Sequence, residues 1–277
     1  MKCAWKELLA VLPPWIAKEA DRLGRSSLQE LRLRLGKPPE LVMGDGRVRL
    51  DRSVSKDELN FVINTASRYS PWAAQTVSEG FLTAPGGHRI GLCGDAVVKN
   101  GCVSGIREVR MLCIRVARDF PGIGAKADRL AGSILVLGPP GSGKTTLLRD
   151  LVRRASERET VAVVDERGEL FPLADCFENG VSLDVLRGCP KPEGVDMVLR
   201  TMGPSCIAVD EITAEGDCAA LVRAGWCGVR LMATAHAASL KDLRSRPVYR
   251  SLVSRQLFDH VLILSRDKTW HVERMDL

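Results

Sequence analysis

Paired cysteines, histidine and aromatic residues are scarce in this sequence, and each scarcity removes a class of function. The nine cysteines and four histidines of the 277 residues form no C-x-x-C pair and no zinc-ligand spacing, so no zinc is expected. An odd number of cysteines scattered through apolar stretches fits reduced thiols in a cytoplasmic protein, not a disulfide framework. Aromatic residues make up only 5% of the chain, and its basic strands lack interleaved stacking residues. Both facts weigh against single-stranded nucleic acid as a partner. No apolar run reaches the roughly 20 residues that a membrane-spanning helix needs. Lys6, Glu7 and Pro13-Pro14 interrupt any signal-peptide core.

What is present is a globular composition, 45% hydrophobic and 27% charged, enough for one large domain or two modest ones. The net charge of +6 comes from 40 basic and 34 acidic residues. Residues 1–118 hold 19 of the basic and 12 of the acidic ones, which leaves 21 against 22 for the rest. A basic front half can meet an anionic surface, or it can present arginines to a nucleotide held by a neighbouring copy.

The most specific stretch is Gly138-Pro139-Pro140-Gly141-Ser142-Gly143-Lys144-Thr145, followed by Thr146. It fits the phosphate-binding pattern G-x-x-x-x-G-K-[ST]. An apolar run, Ser133 to Leu137, precedes it and reads as a buried strand. Leu147, Leu148 and Leu151 follow at helical spacing. The glycines let successive N–H groups converge on phosphate oxygens at a helix N-terminus. Lys144 then supplies a point charge to the outer phosphates, and the Thr145 hydroxyl is a magnesium ligand. A nucleoside triphosphate and Mg²⁺ are therefore the expected ligands.

Around this motif the pattern predicts an α/β fold: a P-loop (RecA-like) domain with a mostly parallel sheet over 133–277. A smaller α+β domain precedes it over 1–118, and 119–132 reads as a linker. In the front domain two short helices end near Gly24, and a hairpin turns at Gly44-Asp45-Gly46. A Ser55–Glu58 capping box opens a third helix. A further helix is expected over 71–78. Short strands follow at Phe81–Thr83, His88–Leu92, Asp95–Val98 and Met111–Val116, with Asn100-Gly101 as a turn pair. In the back domain strands are expected at Ile134–Leu137, Thr160–Val164, Cys206–Asp210, Val229–Thr234 and His260–Leu264, with Trp270–Arg274 at an edge.

Three strand ends carry chemistry. Cys206 to Val209 runs into Asp210-Glu211, where Asp210 suits a metal-bound water and Glu211 suits activation of the attacking water. Val161 to Val164 runs into Asp165-Glu166, a second carboxylate pair expected at the same cleft, with Glu166 able to share that role. Met232 to Ala235 runs into His236, placed to sense the terminal phosphate. The arginines able to complete such a site are Arg89, Arg107, Arg110, Arg115 and Arg118 in front, and Arg200 behind.

These residues together resemble the stage III sporulation protein AA family, relatives of the secretion and pilus motor ATPases. The resemblance rests on Pro85 to Leu92, Ile114 to Ala117, Lys144 to Leu151, Val164 to Arg167, Gly188-Cys189-Pro190-Lys191, Val209 to Ile212 and Thr234 to His236. Gly168 stands where the family usually has serine, and the stretch from Leu170 to Leu183 is short. The resemblance implies an ATPase in a homo-oligomeric ring, cytoplasmic at the inner face of the mother-cell membrane, whose partners are sporulation channel membrane proteins. It also implies that Arg89 and Arg115 complete the site. A nucleotide-held scaffold with little hydrolysis and, less in keeping with the composition, a nucleic-acid motor are the alternatives.

Overall fold

The computed structural model describes residues 1–68, 80–172, 177 and 180–275. The helix expected over 71–78 lies outside them. The chain divides into two compact units, Met1–Asp119 with Pro172–Phe177, and Phe120–Phe171 with Glu178–Leu277.

The first unit is a six-stranded antiparallel sheet with helices on its apolar face. Its strands are β1 (Leu28–Arg34), β2 (Glu40–Met43), β3 (Gly46–Arg49), β4 (Phe81–Thr83), β5 (Arg89–Lys99) and β6 (Cys102–Arg115), in the order β3-β2-β1-β6-β5-β4. Helices α1 (Trp5–Val11), α2 (Pro14–Leu23) and α3 (Lys56–Ser67) contribute Leu8, Ile16 and Leu59 to one cluster with Leu31, Leu33, Ile90 and Ile114. Full burial of each such side chain contributes about 1.5–3 kcal/mol. The capping box forms as read: Ser55 Oγ accepts from Glu58 N, and Glu58 Oε2 accepts from Ser55 N.

The sequence reading split β5 into two pieces and did not extend β6 before Met111, whereas the two strands form one long hairpin. The gap around Gly94 is a bulge rather than a break. A Cβ on Gly94 would lie 1.7 Å from the Glu108 carbonyl oxygen, so the crossing strand requires glycine there. Asn100 and Gly101 turn the hairpin with φ of 51° and 78°, the left-handed pair that a type I′ turn needs.

The second unit is a seven-stranded sheet in the order β13-β12-β7-β11-β10-β8-β9. Its strands are β7 (Ile134–Leu137), β8 (Val161–Asp165), β9 (Leu183–Arg187), β10 (Cys206–Ile212), β11 (Arg230–Ala235), β12 (His260–Leu264) and β13 (Trp270–Arg274). All neighbours pair in parallel except β12 with the edge strand β13. Its helices are α4 (Lys144–Ala155), α5 (Lys191–Thr201), α6 (Glu215–Trp226), and the short α7 (Leu240–Ser245) and α8 (Arg250–Ser254).

Alternate residues of each strand feed opposite faces. Leu135, Ile207 and Leu231 pack in one cluster with Val195 of α5 and Leu221 of α6, while Ile134, Ala208 and Met232 pack in another with Leu148 of α4. Burial on both faces is why these strands read as continuous apolar runs. Strand β9 escaped the sequence reading because it is the half-buried edge, its run broken by Asp184 and Arg187. Residues 120–132 are grouped with this unit. Gly122 and Gly124 donate their N–H groups to the Asp150 carboxylate of α4 at 2.9 and 2.7 Å.

Candidate functional site

The P-loop joins β7 to α4, so its glycines stand at the C-terminal edge of the parallel sheet, where ligands of open α/β sheets bind. Gly141 and Gly143 have φ of 74° and 100°. Gly143 is the N-cap of α4. Lys144, buried, folds back and donates to the carbonyls of Gly138 and Pro139 at 2.9 and 3.1 Å. Burial holds its ammonium below the ordinary lysine value, against the opposing pull of the Asp210 and Glu211 charges. Ser142 is 1% exposed, and its hydroxyl has no hydrogen-bond partner within the described chain. A buried polar group left open in a loop of this shape fits a ligand bearing acceptor oxygens.

The sheet order explains how the other groups meet. Strand β11 follows β10 in the chain but lies between β7 and β10 in the sheet. Thr234 near its end and His236 just beyond it therefore face the acids of β10, and His236 also reaches the P-loop lysine. Lys144 Nζ lies 3.0 Å from His236 Nδ1, and His236 Nε2 lies 2.8 Å from Glu211 Oε1. A lysine ammonium can only donate, so Nδ1 accepts and Nε2 carries the proton that it gives to Glu211. On β11 itself, Thr234 Oγ1 donates to Asp210 Oδ1 at 2.6 Å and accepts from Glu211 N at 2.8 Å. Thr145 Oγ1 of α4 donates to the other oxygen, Asp210 Oδ2, at 2.7 Å.

Thr234 fills a bulge. The β10–β11 register runs from Val209 opposite Ala233 to Ile212 opposite Ala235, so Asp210 and Glu211 together face Thr234 alone. Glu211 takes φ 55°, a left-handed conformation that costs about 1 kcal/mol or more for a residue other than glycine. A regular strand would send two consecutive side chains to opposite faces. The bulge lets Asp210 reach α4 while Glu211 reaches His236.

The carboxylates divide by environment. Burial raises the Asp210 carboxyl above its ordinary value, and the hydroxyls of Thr234 and Thr145 partly offset this. Burial also raises Glu211, but His236 and Arg167 outweigh it and the net direction is down. Asp165 is buried and accepts from the N–H groups of Glu169, Leu170 and Phe171 at 2.9–3.2 Å. It ties down the turn after β8, and burial raises its carboxyl. Glu166 pairs with buried Lys191, and Arg167 pairs with Glu211. Glu166, Arg167, Lys191, Asp210 and Glu211 line one small cleft.

Lys191 is the residue that the reading of strand ends missed. It opens α5, with Asp217 Oδ2 of α6 3.8 Å away on its other side. Its signal was the Gly188-Cys189-Pro190-Lys191 segment, conspicuous in sequence but without a chemical role of its own.

Thr146 lies in the first turn of α4 beside Lys144 and Thr145. The predicted arginines are not gathered at this cleft within the second unit. Arg200 donates to the Asp196 carbonyl on α5 at 3.1 Å. Arg89 and Arg115 lie in the first unit, opposite each other in the β5–β6 register, with Glu30 opposite Arg115 on β1. The Arg89 guanidinium stacks 4.4 Å from the Phe81 ring, and Arg115 Nε lies 3.7 Å from Glu30. His88, beside Arg89, is buried between Ala4 O and Ala117 N at 2.8 and 3.1 Å. That makes it a tie between the chain start and the end of β6.

Residues 7–272 match the family described as "Sporulation stage III, protein AA". Stage III sporulation protein AA of Bacillus subtilis (strain 168) is 36% identical over 286 aligned residues, covering 95% of this chain and 91% of that protein. An uncharacterized ycf45 protein of Porphyra purpurea is 26% identical over 90% of this chain and 43% of its own length. Among solved structures, the pilus retraction motor PilT, crystallised with ADP, aligns over 90% of this chain and 76% of its own, with a TM-score of 0.62 and 16% identity. The Legionella pneumophila ATPase DotB aligns over 95% and 80%, with a TM-score of 0.57 and 17% identity. The α/β fold with its mostly parallel sheet is thus that of the secretion and pilus ATPases.

Proposed function

Since this chain belongs to the sporulation stage III protein AA family, we propose that it is an ATP-binding and hydrolysing motor. It powers assembly of, or transport through, an envelope channel between mother cell and forespore. The observation that carries this reading is the continuous hydrogen-bonded path from the P-loop lysine through His236 to Glu211, with Asp210 held beside Thr145.

In this reading Gly138 to Thr146 hold the nucleotide phosphates through backbone N–H groups and Lys144. Thr145 and Asp210 are the hard oxygen donors that would hold Mg²⁺, which supplies charge neutralisation at the phosphates. Among the described residues no group of three or more His, Cys, Asp or Glu gathers to hold a metal alone. Glu211, kept ionised by its cationic neighbours, orients the attacking water and accepts its proton. His236 holds Glu211 in place and responds when Lys144 turns to phosphate. Lys191 holds Glu166 in an ion pair, and Glu211, joined through His236 to the P-loop lysine, is taken as the main base. Arg89 and Arg115 are proposed to neutralise transition-state charge at the nucleotide of a neighbouring copy in a ring.

No helix among the described residues is long and apolar enough to cross a membrane. A peripheral place at the cytoplasmic face of the mother-cell membrane, against channel membrane proteins, is part of the proposal.

Steady-state phosphate release by wild type, Lys144→Ala and Glu211→Gln tests it. Wild type should turn over at least ~100-fold faster than either variant, with specific activity rising with protein concentration. A wild type no faster than Glu211→Gln at any concentration sinks the motor. One observation favours the scaffold alternative: both candidate bases are engaged in ion pairs, an arrangement compatible with slow turnover until a partner frees Glu211.

A further inference from the structure

The turn joining β12 to β13 carries a residue that the hairpin itself does not call for. Ser265 N donates to Thr269 O at 2.9 Å and Lys268 N donates to Ser265 O at 3.2 Å, which leaves Arg266-Asp267-Lys268 as a three-residue loop. Such loops end in a left-handed residue, and glycine is the ordinary choice there. Here it is Lys268, with φ 71°. Asp267 Oδ1 accepts from Thr269 N and Oγ1 at 3.1 and 2.8 Å, so the loop has its own supports and does not need the lysine side chain.

That side chain runs to the P-loop. Strand β12 pairs directly with β7, Ile263 opposite Leu137, so the turn after β12 stands beside the loop after β7. The Lys268 ammonium donates to the Gly141 carbonyl. Its Cδ lies 3.9 Å from the point a Cβ on Gly143 would occupy. The neighbouring Ser142 hydroxyl is the buried group without a partner. A strained lysine, a carbonyl of the anion-binding loop and an open buried donor thus meet at one place. Backbone strain held at such a point runs from observation to function.

We propose that Lys268 is a second lysine of the nucleotide site, acting on the phosphates from the outer side of the loop that Lys144 supports from within. It holds Gly141 in its left-handed conformation through the carbonyl, and its charge adds to the positive field of the cradle. The exposed ammonium on a four-carbon stem can leave the carbonyl for a phosphate oxygen without moving the hairpin. The inference rests on nucleotide binding at the P-loop and extends it to a residue more than 120 positions away in the chain.

Lys268→Gly separates fold from function, because glycine relieves the strain while removing the charge. Calorimetric titration with Mg-ATPγS, Mg-ADP and AMP should show affinity falling about fivefold for ATPγS, less for ADP and least for AMP. Tm should stay level or rise. Lys268→Arg should keep most of the affinity, and added salt should narrow the gap between wild type and Lys268→Gly. Unchanged ATPγS affinity in Lys268→Gly, with Lys144→Ala binding none, overturns the inference and leaves the P-loop reading intact. Wild-type affinity in Lys144→Ala removes both. A lowered Tm with equal losses for all three nucleotides assigns Lys268 to holding the hairpin and also overturns it.

Discussion

Glu40 on the antiparallel sheet lies 3.0 Å from Arg34 on one side and 3.0 Å from Arg47 on the other. Asp210 on the parallel sheet lies 2.6 Å from Thr234 and 2.7 Å from Thr145, with Asp165 and Glu211 as charged neighbours. Both are carboxylates on strands, yet they are treated oppositely. Arg34 and Arg47 hold Glu40 below its ordinary value, whereas burial among hydroxyls and other acids pushes Asp210 up. The first sheet pairs its charges across strands, and Glu40 is buried between its two arginines. The second collects charges at one edge, where each group depends on several others. A carboxylate held between two guanidinium groups is neutralised where it stands; carboxylates coupled to hydroxyls, a lysine and one another form a network open to further partners.

The sharpest break of this contrast is Asp165→Ala. It leaves three N–H groups in the turn after β8, two of them buried, without an acceptor, and should cost about 3 kcal/mol, read as a lowered urea midpoint. Thr234→Val comes next. It removes the hydroxyl that serves Asp210 and the Glu211 N–H at once, so phosphate release should drop ~10-fold or more while ATPγS affinity changes little. Thr234→Ser should retain most of the rate.

Acid sharpens the contrast. Glu40 has a lowered folded value, so its contribution is present above the ordinary 4.5 and is lost as pH falls through that lower value. Asp165 has a raised folded value, so the protonated form favours the fold, and its contribution grows as pH falls through that value toward the ordinary 3.8. Amide exchange, corrected for intrinsic rates, should show β2 losing protection with falling pH while Leu170 and Phe171 keep theirs. Equal loss at both places would contradict the assignment. The smallest effect belongs to Arg110→Ala in the β5–β6 hairpin. Its pairs with Asp95 and Glu108 are exposed on both sides, and Tm should not move measurably.

Much of this was legible in the residues. Caps, turns and the apolar runs of β7, β8, β10, β11 and β12 follow from local chemistry, and so does the P-loop, because every one of its positions is needed within one turn of chain. Asp210, Glu211 and His236 were legible as polar residues ending apolar strands. The β5–β6 hairpin was not, because the sequence does not reveal that Gly94 sits against a crossing carbonyl. Nor were the partners of the acids. Arg167 is adjacent to Glu166 in the chain but binds Glu211, and Lys191, from a distant helix, takes Glu166 instead.

The sequence by itself determined that a loop of P-loop pattern follows the first strand of a parallel sheet whose strands end in acids and a histidine. Only the tertiary structure decided what those ends do together. Strand order in the sheet differs from order in the chain, and β11, last of the three, slots between β7 and β10. That position brings Thr234 within hydrogen-bonding reach of the acids, and His236 within reach of both Glu211 and the P-loop lysine. The bulge that turns Asp210 and Glu211 toward different partners, and the reach of Lys268 to Gly141, likewise arise from pairing between strands. No local pattern encodes them, because each depends on which backbone lies alongside.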